Sequence, residues 1–172
     1  YGGRISLLVS LVAIVISSVV GITVGAVAGY FGGRVDNVIT RILDVLMSIP
    51  SLLMAIAVAS ALGGGPIKTA LAIAISGIPY SARVMRSTVL TIKGNEYIEA
   101  ARATGSTNAR IIFKHVLPNT IAPLIVSATL DIGGNIMAIS GLSFVGLGVQ
   151  APTPEWGSIL SAGREFIRDF PP

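Results

Sequence analysis

Residues 5–30 read ISLLVSLVAIVISSVVGITVGAVAGY, a run of 26 residues that contains no charged side chain. Its many β-branched residues favour strands in water, but the run is far longer than an ordinary strand of about five or six residues. A membrane-spanning helix needs about 20 mostly apolar residues, and in lipid a helix satisfies its backbone hydrogen bonds within its own segment. The run therefore predicts a transmembrane helix.

The composition of the whole chain also indicates a membrane protein. Of its 172 residues, 52% are apolar and only 12% are charged, whereas soluble domains carry about 25% charged residues. This composition argues against a soluble domain and excludes a disordered chain. Because the chain has no cysteine and a single histidine, His115, the sequence excludes a thiol nucleophile and predicts no metal site.

Three further spans are predicted from apolar segments that Gly, Pro or charged residues separate. The four predicted spans are residues 5–30, 37–62, 67–92 and 119–140. Pro50 and Pro79 interrupt the second and third spans, and we expect Pro50 to kink its helix because proline removes a backbone hydrogen bond. A Gly/Pro-rich segment, residues 141–157, follows the fourth span, and residues 158–170 predict a short amphipathic helix or the approach to a further span.

Two of the spans carry patterns that predict specific packing. Gly21, Gly25 and Gly29 recur every four residues and form one stripe along the first span. Small residues at this spacing let a neighbouring helix approach closely, an interpretation we favour over a chance enrichment of glycine. In the second span, Arg41 and Asp44 lie three residues apart and are predicted to pair on one face of the helix.

Basic residues are distributed unevenly between the two sides of the predicted bundle. Four spans place the turn at 31–37 and the loop at 83–118 on one side. Together with Arg41, near the start of the second span, that side carries eight of the 12 Lys and Arg residues. Since cytoplasmic loops are enriched in Lys and Arg, the loop is predicted to be cytoplasmic and segment 141–157 external. The stretch from Arg83 to His115 has a net charge of +4, equal to that of the whole chain. It lacks the interleaved aromatic residues of a nucleic-acid platform, so we predict no nucleic-acid partner.

The cytoplasmic loop predicts two short helices joined at a glycine, and we call residues 94–118 the elbow. Asn95 is a favourable N-cap for the first helix, and Glu96 and Glu99 complement the positive end of its dipole. Gly105 suits the position just after the helix, where a left-handed backbone conformation is common.

Ser106 or Thr107 is predicted to cap the second short helix of the elbow, residues 108–116. Ala100 and Ala101 lie beside charged residues in the first helix. Small side chains among exposed charges suit a surface that another protein approaches closely, whereas the alternative is a solvated elbow without a partner.

The elbow resembles the EAA loop of ABC importer permeases, whose pattern is Glu-Ala-Ala, three residues, Gly, nine residues, Ile, one residue and Leu-Pro. The sequence matches this pattern at Glu99, Ala100, Ala101, Gly105, Leu117 and Pro118, and departs from it at His115. A basic residue and His before Val-Leu-Pro-Asn are usual in the dipeptide/oligopeptide/nickel branch, as in Lys114-His115 here. Further stretches that resemble this branch are residues 3–9 (GRISLLV), 28–33 (AGYFGG), 142–150 (LSFVGLGVQ) and 152–157 (PTPEWG).

The resemblance implies an all-α polytopic protein of the cell (inner) membrane, with the fold of a type I ABC importer transmembrane domain. About four or five of six spans would be present, with one span before Tyr1 and one after Pro172. Implied partners are a second homologous permease subunit, two ATP-binding subunits, an external solute-binding protein and the lipid bilayer. The residues implied to couple to the ATPase are Glu99, Ala100, Ala101, Gly105, His115, Leu117 and Pro118.

The resemblance also implies a transporter subunit that is no enzyme and binds no cofactor, since ATP and Mg²⁺ belong to the partner subunits. The sequence itself contains no P-loop pattern for phosphate binding. The transported substrate stays open among dipeptides, oligopeptides, nickel and some oligosaccharides. An ATP-independent membrane channel or an assembly scaffold is the alternative function, and substitutions in the elbow would distinguish it from an ATP-coupled permease.

Asp131 and Asn135 lie one turn apart in the fourth span. Members of the resembled branch often have an acidic residue where Ile139 stands here. A carboxylate within a membrane span normally faces a cavity or a partner, so Asp131 and Asn135 are predicted to line the translocation path or a subunit interface. A structural hydrogen bond to a neighbouring helix is the alternative interpretation.

Overall fold

The computed structural model describes residues 2–163 and 166, and within these residues the secondary structure is helical, without strands. In chain order the helices are α1 (Gly2–Phe31), α2 (Gly33–Met47), α3 (Ser51–Leu62), α4 (Pro66–Ile92), α5 (Glu96–Ala103), α6 (Asn108–Ile111), α7 (Leu117–Phe144) and α8 (Trp156–Gly163). A π-helical turn, Ile112–Val116, joins α6 to α7. Of the predicted terminal segment at 158–170, α8 covers residues 158–163, and residues 164, 165 and 167–170 lie outside the described residues.

Two helical stretches are long and apolar enough to cross a membrane, namely Gly2–Phe31 and Asn108–Phe144, or three if α2 and α3 form one broken span. The first stretch contains the predicted span at 5–30. The second is 37 residues long and contains the predicted span at 119–140. It also includes the second arm of the elbow, so the chain runs from the elbow into α7 without leaving helical geometry.

The predicted span at 37–62 is not one kinked helix. Residues 48–50 separate two helices, of which α2 ends at Met47 and α3 begins at Ser51. Pro50 explains the break, because it lacks a backbone N–H and disfavours helical geometry in the residue before it. By contrast, Pro79 lies inside the continuous helix α4. The two arginines near its C-terminal end lower the hydropathy of α4, and its passage through the membrane stays a prediction.

The chain divides into two compact units, each with its own core. The first unit comprises residues 1–17, 49–77 and 130–172, and the second comprises residues 18–48 and 78–129. The core of the first unit consists mainly of small and aliphatic side chains, including Val9, Ala13, Ala55, Ala59, Ala72, Ala74, Ile139, Leu142 and Val149. Alanine is frequent where membrane helices pack closely.

The core of the second unit contains residues from the elbow. It comprises Ala26, Tyr30, Met85, Val89, Ile98, Ile111 and Val116. Ile98 from α5 and Ile111 from α6 are completely buried in it. Both arms of the elbow are therefore packed into the second unit through apolar side chains, and the charged residues between them remain at the surface.

Candidate functional site

The glycine stripe of α1 packs directly on α4 within the second unit. A Cβ atom placed on Gly21 would lie 2.6 Å from Cβ of Ser81, and one placed on Gly29 would lie 2.9 Å from Cβ of Val89. At Gly25 the added atom would collide with the α4 backbone. Any side chain at these positions would therefore push the two helices apart, which is the packing that the spacing predicts.

Two ion pairs tie α2 to α4. Arg86 binds Asp36 through two hydrogen bonds, with Nε donating to Oδ1 at 2.5 Å and Nη2 donating to Oδ2 at 2.7 Å. Arg83 pairs with Asp44. The predicted pair between Arg41 and Asp44 is therefore wrong, and no ion pair joins them in the described part of the chain. Asp44 is placed instead by tertiary packing, beside an arginine 39 residues further along the sequence.

The first arm of the elbow has the predicted bounds, whereas the second begins at the predicted Asn108 but does not end at Val116, because α6 continues through the π-helical turn into α7. Asn95 occupies the N-cap position of α5, but its side chain accepts no hydrogen bond from the backbone N–H groups of the helix start. Its amide group instead donates to the Tyr97 hydroxyl at 3.4 Å. Gly105 follows the C-cap of α5 with φ of +79°, a conformation that glycine adopts without strain. Thr107 caps α6, where its hydroxyl accepts a 3.4 Å hydrogen bond from the backbone N–H of Arg110.

Tyr30, at the C-terminal end of α1, contacts both arms of the elbow. Its hydroxyl donates a 2.9 Å hydrogen bond to Oδ1 of Asn108 at the start of α6. The guanidinium carbon of Arg102, on α5, lies 5.4 Å from the centroid of the Tyr30 ring, within the range of a cation–π contact. Nearby, Lys93 donates a 3.0 Å hydrogen bond to the carbonyl oxygen of Gly29. The end of α1 thus holds the elbow through polar contacts in addition to apolar packing.

Sequence reasoning did not identify Tyr30 as a site residue. Its partner Asn108 lies 78 residues away in sequence, so no local pattern links the two. The available signal was a tyrosine at the end of an apolar helix, directly before the turn that Gly32 and Gly33 form. A buried tyrosine usually finds a partner for its hydroxyl, and Tyr30 is only 5% exposed.

The residues predicted to couple to an ATPase differ in their exposure. Exposed residues are Glu99, Ala100, Gly105 and Pro118, and partly buried residues are Ala101, His115 and Leu117. Ala101 and Leu117 pack against the core of the second unit. The elbow therefore offers a partner the outer face of α5 and uses its inner face for attachment.

An open groove of about 470 Å³ lies on the elbow, and we call it the elbow groove. Its lining includes Tyr97, Ala100 and Ala101 from α5, and Arg110, Lys114 and His115 from α6 and the π-helical turn. Three of the seven predicted coupling residues thus line the groove, whereas Glu99, Gly105, Leu117 and Pro118 do not. Its lining is chemically mixed, since it includes both small apolar side chains and cationic ones.

Asp131 and Asn135 lie one turn apart on α7, in the first unit, and both are partly buried. Among the described residues, neither side chain makes a hydrogen bond or an ion pair. The backbone next to Asp131 is linked to α1, since the Ser10 hydroxyl donates a hydrogen bond to the carbonyl oxygen of Ile132 at 3.4 Å. The described residues contain no group of three His, Cys, Asp or Glu side chains that could hold a metal ion.

Glu155 is a completely buried carboxylate in the first unit, and sequence reasoning missed it as a site residue. It accepts hydrogen bonds from the backbone N–H groups of Gly157 at 2.7 Å and Ser158 at 3.1 Å, so it caps the start of α8. The hydroxyls of Ser6 and Ser140 donate to the same carboxylate at 3.0 and 3.3 Å. Glu155 therefore joins α8 to α1 and α7. The available signal was a single carboxylate directly before an apolar helix.

Comparison with known proteins gives a consistent result. Residues 21–167 match the family described as binding-protein-dependent transport system inner membrane component. The chain is 46% identical over 171 residues to the dipeptide transport system permease protein DppC of Alkalihalophilus pseudofirmus. This match covers 99% of this chain and 56% of the relative. It is 44% identical over 167 residues to the di/tripeptide transport system permease protein DppC of Pseudomonas aeruginosa. This second match covers 97% of this chain and 55% of the relative. The chain thus spans about half the length of these curated relatives.

The fold is similar to that of a chain of the MetNI methionine ABC transporter in an inward-facing conformation. The TM-score is 0.76, and the match covers 96% of this chain and 78% of that chain. The two sequences are only 20% identical, so this comparison concerns the fold alone.

Proposed function

The chain belongs to the family of binding-protein-dependent transport system inner membrane components, and from this premise we propose that it forms half of the translocation pathway of an ATP-driven peptide importer. The predicted all-helical fold and the resemblance to the peptide branch of these permeases are confirmed. In this role the chain is a transporter subunit and not an enzyme, and separate subunits hydrolyse ATP.

Di- or oligopeptides are the proposed substrates. The two relatives described above are named for dipeptide and di/tripeptide transport, which favours peptides over nickel or oligosaccharides. An external solute-binding protein would deliver the peptide, and a second homologous permease subunit would complete the pathway. Asp131 and Asn135 are proposed to line that pathway or the interface with the second permease subunit, because neither side chain has a bonding partner in the described residues.

The elbow is proposed to receive the force of ATP-driven closure from two ATP-binding subunits in the cytoplasm. The observation that carries this proposal is the attachment of both elbow arms to the second unit. Ile98 and Ile111 are buried in its core, and Tyr30 holds Asn108 and Arg102. A push on α5 would therefore displace the end of α1, and rigid helices would carry that displacement towards the pathway as a change of access.

The test is uptake of a radiolabelled dipeptide by vesicles that contain the complete importer, with and without ATP. We expect Glu99→Lys to abolish ATP-driven uptake while membrane insertion is unchanged. Glu96→Lys is the matched control, because Glu96 is exposed on the same helix and lies outside the EAA pattern. Uptake that proceeds without ATP and at the same rate in Glu99→Lys as in the wild type would support the alternative of a channel or scaffold.

A second pair of variants tests the junction of the elbow arms. Gly105→Val is expected to abolish ATP-driven uptake because a β-branched residue is strained at φ of +79°. Gly94→Val is its control, since neither glycine has an atom within 4 Å of an added Cβ and Gly94 is not among the glycines with positive φ. Equal uptake by the two variants would show that the elbow conformation is not needed.

A further inference from the structure

The cations of the cytoplasmic stretch differ in whether the chain itself supplies a partner. Four of the six have one, since Arg83 and Arg86 form ion pairs, Lys93 donates to a backbone carbonyl and Arg102 lies over the Tyr30 ring. Within the described residues, no side chain pairs with the guanidinium of Arg110 or the ammonium of Lys114. Both of these cations line the elbow groove.

We propose that the elbow groove binds an acidic side chain of the ATP-binding subunit, held between Arg110 and Lys114. The inference rests on the proposed function, which supplies that subunit, and it identifies the chemistry of the contact. Two neighbouring positive charges repel each other, and a carboxylate placed between them removes that repulsion. Hydrogen bonds between a guanidinium or ammonium group and a carboxylate are also stronger than those between neutral groups.

The shape of the groove suits an entering protein side chain. Two of its lining residues, Ala100 and Ala101, have small side chains that leave room for the backbone of an approaching segment. Tyr97, which is 41% exposed, adds an apolar surface that the stem of an acidic side chain can cover. The lining of the groove therefore combines cationic groups for the carboxylate with apolar surface for the rest of the segment.

The elbow's own acidic residues do not compete for these cations. Glu96 and Glu99 are exposed on α5, and neither lines the groove. The segment that enters the groove must therefore bring its own carboxylate. An anionic lipid headgroup carries a similar charge, but it has no apolar portion that would cover the alanine and tyrosine side chains of the groove.

The test is the affinity of purified ATP-binding subunits for the permease subunits in nanodiscs of zwitterionic lipid, measured at 50 and 200 mM salt. For Arg110→Gln/Lys114→Gln we expect binding about tenfold or more weaker at low salt, with a smaller salt dependence than the wild type. Arg34→Gln/Arg41→Gln is the matched control, because it removes two exposed arginines of α2 and the same net charge. The control should bind like the wild type.

The outcomes separate this inference from the proposed function. If Arg110→Gln/Lys114→Gln binds as the wild type does while wild-type uptake requires ATP, the inference is wrong and the proposed function stands. If the wild type binds no ATP-binding subunit, both are wrong. If the variant loses affinity only in discs that contain anionic lipid, the groove holds a headgroup and the inference is wrong. Rescue of Arg110→Glu/Lys114→Glu by an acid-to-lysine change in the ATP-binding subunit would identify the carboxylate.

Discussion

The hydroxyl of Tyr30 donates a 2.9 Å hydrogen bond to Oδ1 of Asn108, which joins the end of α1 to the start of the second elbow arm. The ring of the same residue lies against Arg102 of the first arm. Tyr30 is therefore a single side chain through which both arms are fixed to a helix long enough to span the membrane. This relationship gives the elbow a defined position relative to α1 and makes their coupled movement testable.

Tyr30→Phe is expected to weaken this attachment without removing the ring. The loss of one hydrogen bond and the unpaired Asn108 amide should lower the free energy of unfolding by about 1 kcal/mol. We expect the peptide transported per ATP hydrolysed to fall severalfold while subunit assembly is unchanged. Tyr80→Phe serves as the control, because Tyr80 is 50% exposed on α4. An unchanged ratio of transport to hydrolysis in Tyr30→Phe would show that the hydrogen bond does not contribute to coupling.

The glycine stripe predicts a position-dependent effect of one added methyl group. Gly25→Ala should destabilise the folded protein by about 1–3 kcal/mol, because its Cβ would collide with the backbone of α4. Gly133→Ala is the matched control on α7, where an added Cβ would have no atom within 4 Å. This second change should be neutral or stabilise the helix by up to about 1 kcal/mol. Thermal unfolding in detergent compares the two variants, and equal stabilities would argue against close packing of α1 on α4.

The two ion pairs between α2 and α4 are expected to differ in strength because they differ in exposure. The side chains of Arg86 and Asp36 are 28% and 13% exposed, whereas those of Arg83 and Asp44 are 48% and 52% exposed. Arg86→Gln should therefore lower the free energy of unfolding by about 1.5–3 kcal/mol. Arg83→Gln should lower it by no more than about 1 kcal/mol.

Chemical unfolding of the two variants at low and high salt measures this difference. The more exposed pair should weaken more as salt rises, since salt screens exposed charges much more than buried ones. A larger effect of Arg83→Gln than of Arg86→Gln would contradict this order.

Features that depend on local sequence could be predicted, and features that depend on distant partners could not. The charge-free run at 5–30 predicts α1 because length and hydropathy are sufficient to identify a membrane helix. Gly105 and Thr107 predict the ends of the elbow arms because capping involves neighbours within a few residues. The ion-pair partner of Asp44, by contrast, is Arg83, which lies 39 residues away in sequence. Local spacing therefore predicts the wrong partner, Arg41.

The break before α3 shows a second limit. The sequence shows that Pro50 lacks a backbone N–H donor, but the loss of one donor is compatible with either a kinked helix or a broken one. Pro79 also lacks this donor and lies inside the continuous helix α4. The presence of a proline in an apolar segment does not by itself distinguish the two outcomes. In the same way, no local pattern could identify Ser6 as a hydrogen-bond partner of the buried Glu155, because it lies 149 residues away in sequence.

Asp131→Asn tests whether the charge in α7 contributes to transport. The substitution preserves size and polarity but removes the negative charge, so any charge-assisted hydrogen bond to a peptide or to the second permease subunit is lost. Such hydrogen bonds contribute about 1.5–3 kcal/mol, and we expect uptake or subunit assembly to weaken by about tenfold or more. Thr129→Val is the control, because the Thr129 hydroxyl is exposed and bonds to the carbonyl oxygen of Ile125 in its own helix at 2.8 Å. Normal uptake and normal assembly of Asp131→Asn would exclude this residue from the pathway and from the interface.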